Sequence, residues 1–189
     1  MDFVDKVKGF LLEPSNSLHN SREDSLIGVL KYYLILVLIS SVLEALIRIF
    51  FGELIVSMMG QYAMISGGTG MKDIIIDSTY YIIYAIPGIF IIGAFLHFGV
   101  YIAGGKKGLN QTIKALVYTS TPSLLLGWIP IINIIAGMWS LVLNIIGIRE
   151  FHEISTERAI LAVLLPLALL IPLIFILLLL AVLSGMYRG

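Results

Sequence analysis

The sequence predicts an all-α fold: a polytopic membrane helical bundle of five transmembrane helices with an N-terminal amphipathic interfacial helix. Three observations carry that prediction. Mean hydropathy is +1.01, and only 13% of the 189 residues are charged, against about 25% in an ordinary soluble domain. Several apolar runs exceed the roughly 18 residues that mark a membrane-crossing helix. Within two of those runs small and polar residues recur at steps of three or four, the period of a helix face. Twelve basic and twelve acidic residues give zero net charge, so no basic surplus points to nucleic acid. Cysteine is absent, which removes disulfides, thiolate metal ligands and cysteine nucleophiles.

Residues 1–26 read as a cytoplasmic amphipathic arm and residues 27–189 as the five-span domain. In the arm, Phe3, Val4, Val7, Phe10 and Leu11 fall at offsets 0, 1, 4, 7 and 8, an apolar stripe suited to the membrane surface or to packing on the bundle. Five charges within the first 13 residues argue against a cleavable signal peptide. Pro14 and the polar residues 15–24 end the arm helix. Ser21 and Asp24 have capping-box spacing, which places the start of the first span nearby.

The first span is expected over residues 27–50, roughly 36 Å of helix and enough to cross with some tilt. Lys31, Tyr32 and Tyr33 stand at its entry, where snorkelling and aromatic belts occur. Glu44 precedes Arg48 by four residues near the far end, the favourable order for a helical ion pair. Residues 52–73 read as a loop. Its Ser66-Gly67-Gly68-Thr69-Gly70 lacks the preceding strand and the closing Gly-Lys-Ser/Thr of a phosphate loop. The second span covers residues 74–103, with Asp77 and Tyr80, Tyr81 and Tyr84 in its first turns and Pro87-Gly88 as a possible kink. His97 lies near its other end without a second ligand at metal spacing.

Residues 104–108 form a short basic connection. Spans three and four follow as a hairpin, residues 114–130 and 131–150, joined by Gly127-Trp128-Ile129-Pro130. Ala115, Thr119, Ser123 and Gly127 make a small-residue ladder on the first, and Asn133, Gly137, Ser140, Asn144 and Gly147 a matching stripe on the second. Such faces let backbones approach closely where packing drives association. Pro122 removes one backbone hydrogen bond from span three, and Asn133 and Asn144 call for interior partners. Residues 149–158 read as a solvated charged turn, without His-Glu-x-x-His. The last span, residues 159–184, is Leu-rich, contains Pro166 and Pro172, and faces lipid.

Nine basic residues (Lys6, Lys8, Arg22, Lys31, Lys106, Lys107, Lys114, Arg149 and Arg158) fall on one side, against Lys72 and Arg188 on the other, with Arg48 inside. The positive-inside rule then sets the N-terminus in the cytoplasm and the C-terminus outside. Glu44, Arg48 and Asp77 form an intramembrane polar cluster. Ionisable residues at such depth mark either an ion path or a structural pair, and their position in the outer third favours the structural pair. No nucleophile elbow or base accompanies Ser120 or Ser123, so neither an enzyme nor a cofactor is expected.

Lys114, Tyr118 and Pro122, then Gly127 and Pro130, then Trp139, and finally Arg149-Glu150 with His152, Ile154-Ser155 and Ala159 resemble the Yip-domain family, the Ypt/Rab-interacting multi-span membrane proteins. Phe10-Leu11-Leu12-Glu13-Pro14-Ser15 ahead of a hydrophobic span is similar to prokaryotic members. The resemblance implies a five-span bundle, a cytoplasmic N-terminus, a prokaryotic cell membrane as its home, and no known catalysis. Eukaryotic relatives bind Rab-type GTPases and partner membrane proteins. An arm of about 25 residues, and Val117 where a Gly before the Tyr is frequent, argue against a GTPase partner here. The expected partners are the lipid bilayer, other membrane proteins or a second copy, and the expected role is to scaffold or organise them. The alternative is a transporter or channel for a small solute, ion or lipid, built around the polar stripes of the hairpin.

Overall fold

The computed structural model describes residues 2–59 and 70–186. Among the described residues eight helices follow in order: α1 (Phe3–Leu12), α2 (Pro14–Asn20), α3 (Leu26–Met59), α4 (Met71–Ile102), α5 (Leu109–Thr119), α6 (Thr121–Leu126), α7 (Ile132–His152) and α8 (Thr156–Met186). Among the described residues there is no strand. Segments 26–54, 71–102 and 132–152 are long and apolar enough to cross a membrane. α4 packs on α3, α5 and α8, while α7 lies against α5, α6 and α8 and receives α2 at one end.

Helix α3 runs through residues 52–59, where a loop was expected, and α4 begins at Met71. The apolar stretch 54–59 extends the helix because nothing in it breaks the backbone pattern. Most of the glycine-rich run 66–70 lies outside the described residues. The cap of α3 also differs from expectation. Ser25 accepts from the Gly28 N–H at 3.2 Å, while Ser21 is buried and Asp24 is engaged elsewhere.

In place of one third span there are two short helices meeting at Ser120. Pro122 causes the break, since it has no N–H and its ring opposes the Tyr118 carbonyl. That carbonyl instead accepts the Thr121 hydroxyl at 2.7 Å. Neither α5 nor α6 is long enough alone to cross a bilayer.

Glycines fix the closest helix approaches. A Cβ on Gly99 would lie 2.2 Å from the Ala162 carbonyl oxygen and 2.6 Å from Pro166 Cγ. Pro166 deprives that carbonyl of its helical donor, and only a backbone without a side chain can cover it so closely. On Gly147 a Cβ would meet Thr119 Cγ2 at 2.8 Å and Ala115 Cβ at 3.5 Å, so half of the expected ladder is the α5–α7 contact. On Gly137 it would meet nothing, which removes that residue from the interface.

The arm is folded onto the bundle. Phe10 is 0% exposed, stacked on Tyr118 with ring centroids 4.5 Å apart and edge-on to Tyr32 at 5.9 Å. Burying such a ring is worth about 1.5–3 kcal/mol. Tyr32 and Tyr33 are core residues and not an interfacial belt; Phe3 and Phe10 of α1 cover the Tyr32 ring. Tyr80 and Tyr84 stack on the outward face of α4, where a belt does fit.

Candidate functional site

The hairpin seam is built from hydroxyls. Ser123 Oγ donates to Ser140 Oγ at 2.7 Å or to the Ala136 carbonyl at 3.3 Å, and the Ser123 N–H donates to Ser140 Oγ at 3.1 Å. Ser123 sits in the first turn of α6, whose opening N–H groups have no intrahelical acceptor, and the residue before the helix supplies no side-chain cap. Ser140 supplies the missing acceptor from α7. Gly127 contacts its own turn, where a Cβ would lie 2.2 Å from the Ser123 carbonyl. Pro130 follows on the exposed corner.

The two asparagines part company. Asn133 is exposed in the first turn of α7, so the interior partner expected for it is absent; that turn lies at the rim, where the polar side chain faces outward. Asn144 lies half-buried, its Oδ1 enclosed without a hydrogen-bond partner. It borders a cavity of ≈ 130 Å³ among α4, α5, α7 and α8, whose other walls include Phe95, Leu96, Leu116 and Pro166.

At the end where the arm docks, Tyr118 donates its hydroxyl to Asp24 Oδ2, and Lys6 Nζ reaches the same oxygen at 2.6 Å and Tyr118 Oη at 3.1 Å. Lys114 Nζ donates to the Arg22 and Asp24 carbonyls. Burial pushes the Asp24 carboxyl up, but the hydrogen bonds from Lys6 and Tyr118 outweigh it and hold the group below its ordinary 3.8. Glu153 joins three segments. It receives Arg22 of the arm at 3.1 Å and Lys107 of the α4–α5 connection at 2.9 Å, and its own backbone is left-handed at φ 54. His19 meets Glu150 at 3.2 Å. The charged turn is thus a clamp on the arm as well as a set of local pairs.

At the opposite end Arg48 and Asp77 pair at 2.8 Å, the arginine side chain 15% and the aspartate 40% exposed. Glu44 is exposed beside them and borders a small cavity of ≈ 70 Å³ shared with Ser41, Ser78 and Tyr81. Among the described residues no three metal-ligating side chains converge to hold an ion.

The model of the Yip1 domain matches residues 8–180, from within α1 to within α8. The chain belongs to the Yip1-domain family. No curated protein and no solved structure matches it. This Yip1 domain is an all-helical membrane protein, and the geometry brings together Tyr118, Pro122 and the Ser123–Ser140 seam while leaving Asn133 outside. It also brings in residues outside the expected site: Lys6; Asp24, expected from spacing at a helix cap and bonded instead to Tyr118, 94 residues away; and Thr112, held between His97 and His152. The signal for Lys6 was weak but present, as a lysine beside the apolar stripe of the arm. For Thr112 there was none.

Proposed function

We propose that this Yip1 domain is a non-enzymatic scaffold that crosses the membrane five times and organises partner membrane proteins, or further copies of itself, within a prokaryotic cell membrane. The α5–α6 pair and α8 would supply the crossings beyond the three long apolar segments, with the arm on the cytoplasmic side. One observation carries the reading. The seam hydroxyls that could line a path are spent, Ser123 on Ser140 and the Ala136 carbonyl, while Gly147 is closed by Thr119 and Ala115. Buried polar groups satisfied in this way tie helices together in lipid.

A second reading, transport of a small solute, ion or lipid, draws on the cavity beside Asn144. Its walls are apolar apart from that one amide, and a water needs two to four polar partners to reside in such a space, which favours the scaffold. Purified protein in liposomes separates the two. The scaffold reading expects leak of protons, small ions and labelled lipid equal to that of empty vesicles. A flux that vanishes in Asn144→Leu overturns it.

A further inference from the structure

Thr112 is wholly buried and sits between two histidines: His97 Nδ1 lies 2.7 Å from its hydroxyl oxygen and His152 Nε2 lies 2.9 Å away. The hydroxyl has a single hydrogen, so it donates to one ring and accepts from the other. The buried His152 side chain decides the direction. Its Nδ1 has no partner, and a bare lone pair there costs less than a stranded N–H. His152 therefore carries its proton on Nε2 and donates to Thr112, which donates to His97 Nδ1.

We propose that His97, Thr112 and His152 form a proton-operated switch, in which uptake of one proton reverses both hydrogen bonds and loosens the corner of residues 103–108. The proton enters at His152 Nδ1. The Nε2 proton of His152 passes to Thr112, and the Thr112 hydrogen passes to His97 Nδ1. One proton is gained in all; His97 becomes charged and His152 stays neutral with its hydrogen moved to Nδ1. That new donor lies against the Gly105 corner, since a Cβ on Gly105 would lie 3.1 Å from Nδ1 and 3.1 Å from the Val100 carbonyl. The Val100 carbonyl already holds the Gly105 N–H at 2.8 Å, with Gly104 at φ 89 completing the helix stop. To satisfy the donor this corner must shift, and it carries Lys107, whose partner Glu153 also holds Arg22 of the arm.

The charged groups on the surrounding elements are Lys106 and Lys107 of the corner, Lys114 of α5, Arg149 and Glu150 of α7 with Glu153 just after it, His19 and Arg22 beside α7, and Glu157 and Arg158 of α8. The charges that bear on His152 are those of His97 and Lys107, and Arg158 lies beside Gly104.

Side-chain nitrogen NMR on histidine-labelled protein in nanodiscs, titrated from about pH 8 to about pH 4, through and below the ordinary histidine range, tests the switch. His152 is expected as the Nε2–H form at the start and the neutral Nδ1–H form at the end, changing over the same midpoint as His97. Exchange of the Gly105 amide, corrected for its intrinsic rate, should rise about tenfold over that step as the corner opens locally. In His97→Asn, whose carbonyl replaces the Nδ1 acceptor and binds no proton, both changes should vanish; Thr112→Ser should keep them. An Nδ1–H form of His152 already present at about pH 8, or an unchanged His152 while His97 titrates, overturns the switch even if a variant fails to fold. So does an identical change in His97→Asn.

Discussion

Tyr118 donates its hydroxyl hydrogen to the carboxylate of Asp24 across 94 residues of chain, and Lys6 closes the triangle from the arm. A family-motif residue of the hairpin is thereby the anchor of the N-terminal arm, with Phe10 laid against the same ring.

Tyr118→Phe should therefore loosen the arm while leaving Phe10 stacked. A hydrogen bond to a charged group is worth about 1.5–3 kcal/mol, and the loss should appear as faster proteolysis within residues 14–25. The pH dependence has a definite sign. The folded Asp24 titrates below 3.8, so its stabilising contribution is present above that unfolded-state value and is lost as pH falls through the lower, folded one. The stability gap between native protein and Asp24→Asn should narrow only in that acid range. A gap that stays constant on acidification contradicts the assignment.

Gly99→Ala should destabilise by about 1–3 kcal/mol, as overpacking of a close contact does, because its Cβ would strike the Ala162 backbone. Gly137→Ala meets nothing and should be neutral or stabilise by up to about 1 kcal/mol through helix propensity. Melting in detergent ranks the two; the reverse order would show that α4 and α8 are not in contact there.

Arg48→Ala should lower the melting temperature more than Lys106→Ala. The arginine holds Asp77 across α3 and α4, whereas Lys106 is exposed. Stranding a buried partner costs about 3–5 kcal/mol in soluble proteins, and the 40% exposure of Asp77 should bring the loss below that range. Equal melting of the two variants would place Arg48 in solvent.

Single cysteines at Lys107 and Lys72 should label from opposite faces of sealed vesicles, Lys107 from the cytoplasmic one. The chain has no cysteine of its own, so each label reports one site. The structure already gathers Lys6, Arg22, Lys107 and Lys114 at one end through shared partners. Labelling of both positions from one face would refute the five-crossing arrangement.

The helices were legible wherever apolar period and length sufficed, and so was the α5–α7 contact, because Ala115, Thr119 and Gly147 repeat at helical steps. Residues 52–59 read as loop in sequence because glycines follow closely, yet the stretch holds no breaker after Gly52 and continues the helix to Met59. The split at Ser120 was legible in part, since Pro122 marked a missing hydrogen bond but not whether the helix would bend or stop. Asn133 and Asn144 look alike in sequence and share one face of α7; what separates them is position along the helix, Asn133 in its exposed first turn and Asn144 about three turns further in, against the neighbouring helices. The arm lock and the Thr112 relay were not legible, because each depends on side chains from separate elements that meet only in the packed bundle: α1, the α2–α3 connection and α5 in the first, α4, α5 and α7 in the second.

The claim that the hairpin closes on its own polar seam is tested most directly by disulfide formation between Ser123→Cys and Ser140→Cys in native membranes. The hydroxyls are 2.7 Å apart, and this chain offers no competing thiol. The account predicts rapid, near-complete intramolecular cross-linking with unchanged fold, and none for the control pair Ser123→Cys with Met138→Cys, since Met138 is exposed on the side of α7 opposite Ser140. Absent or slow cross-linking of the first pair, or equal cross-linking of both, would contradict it.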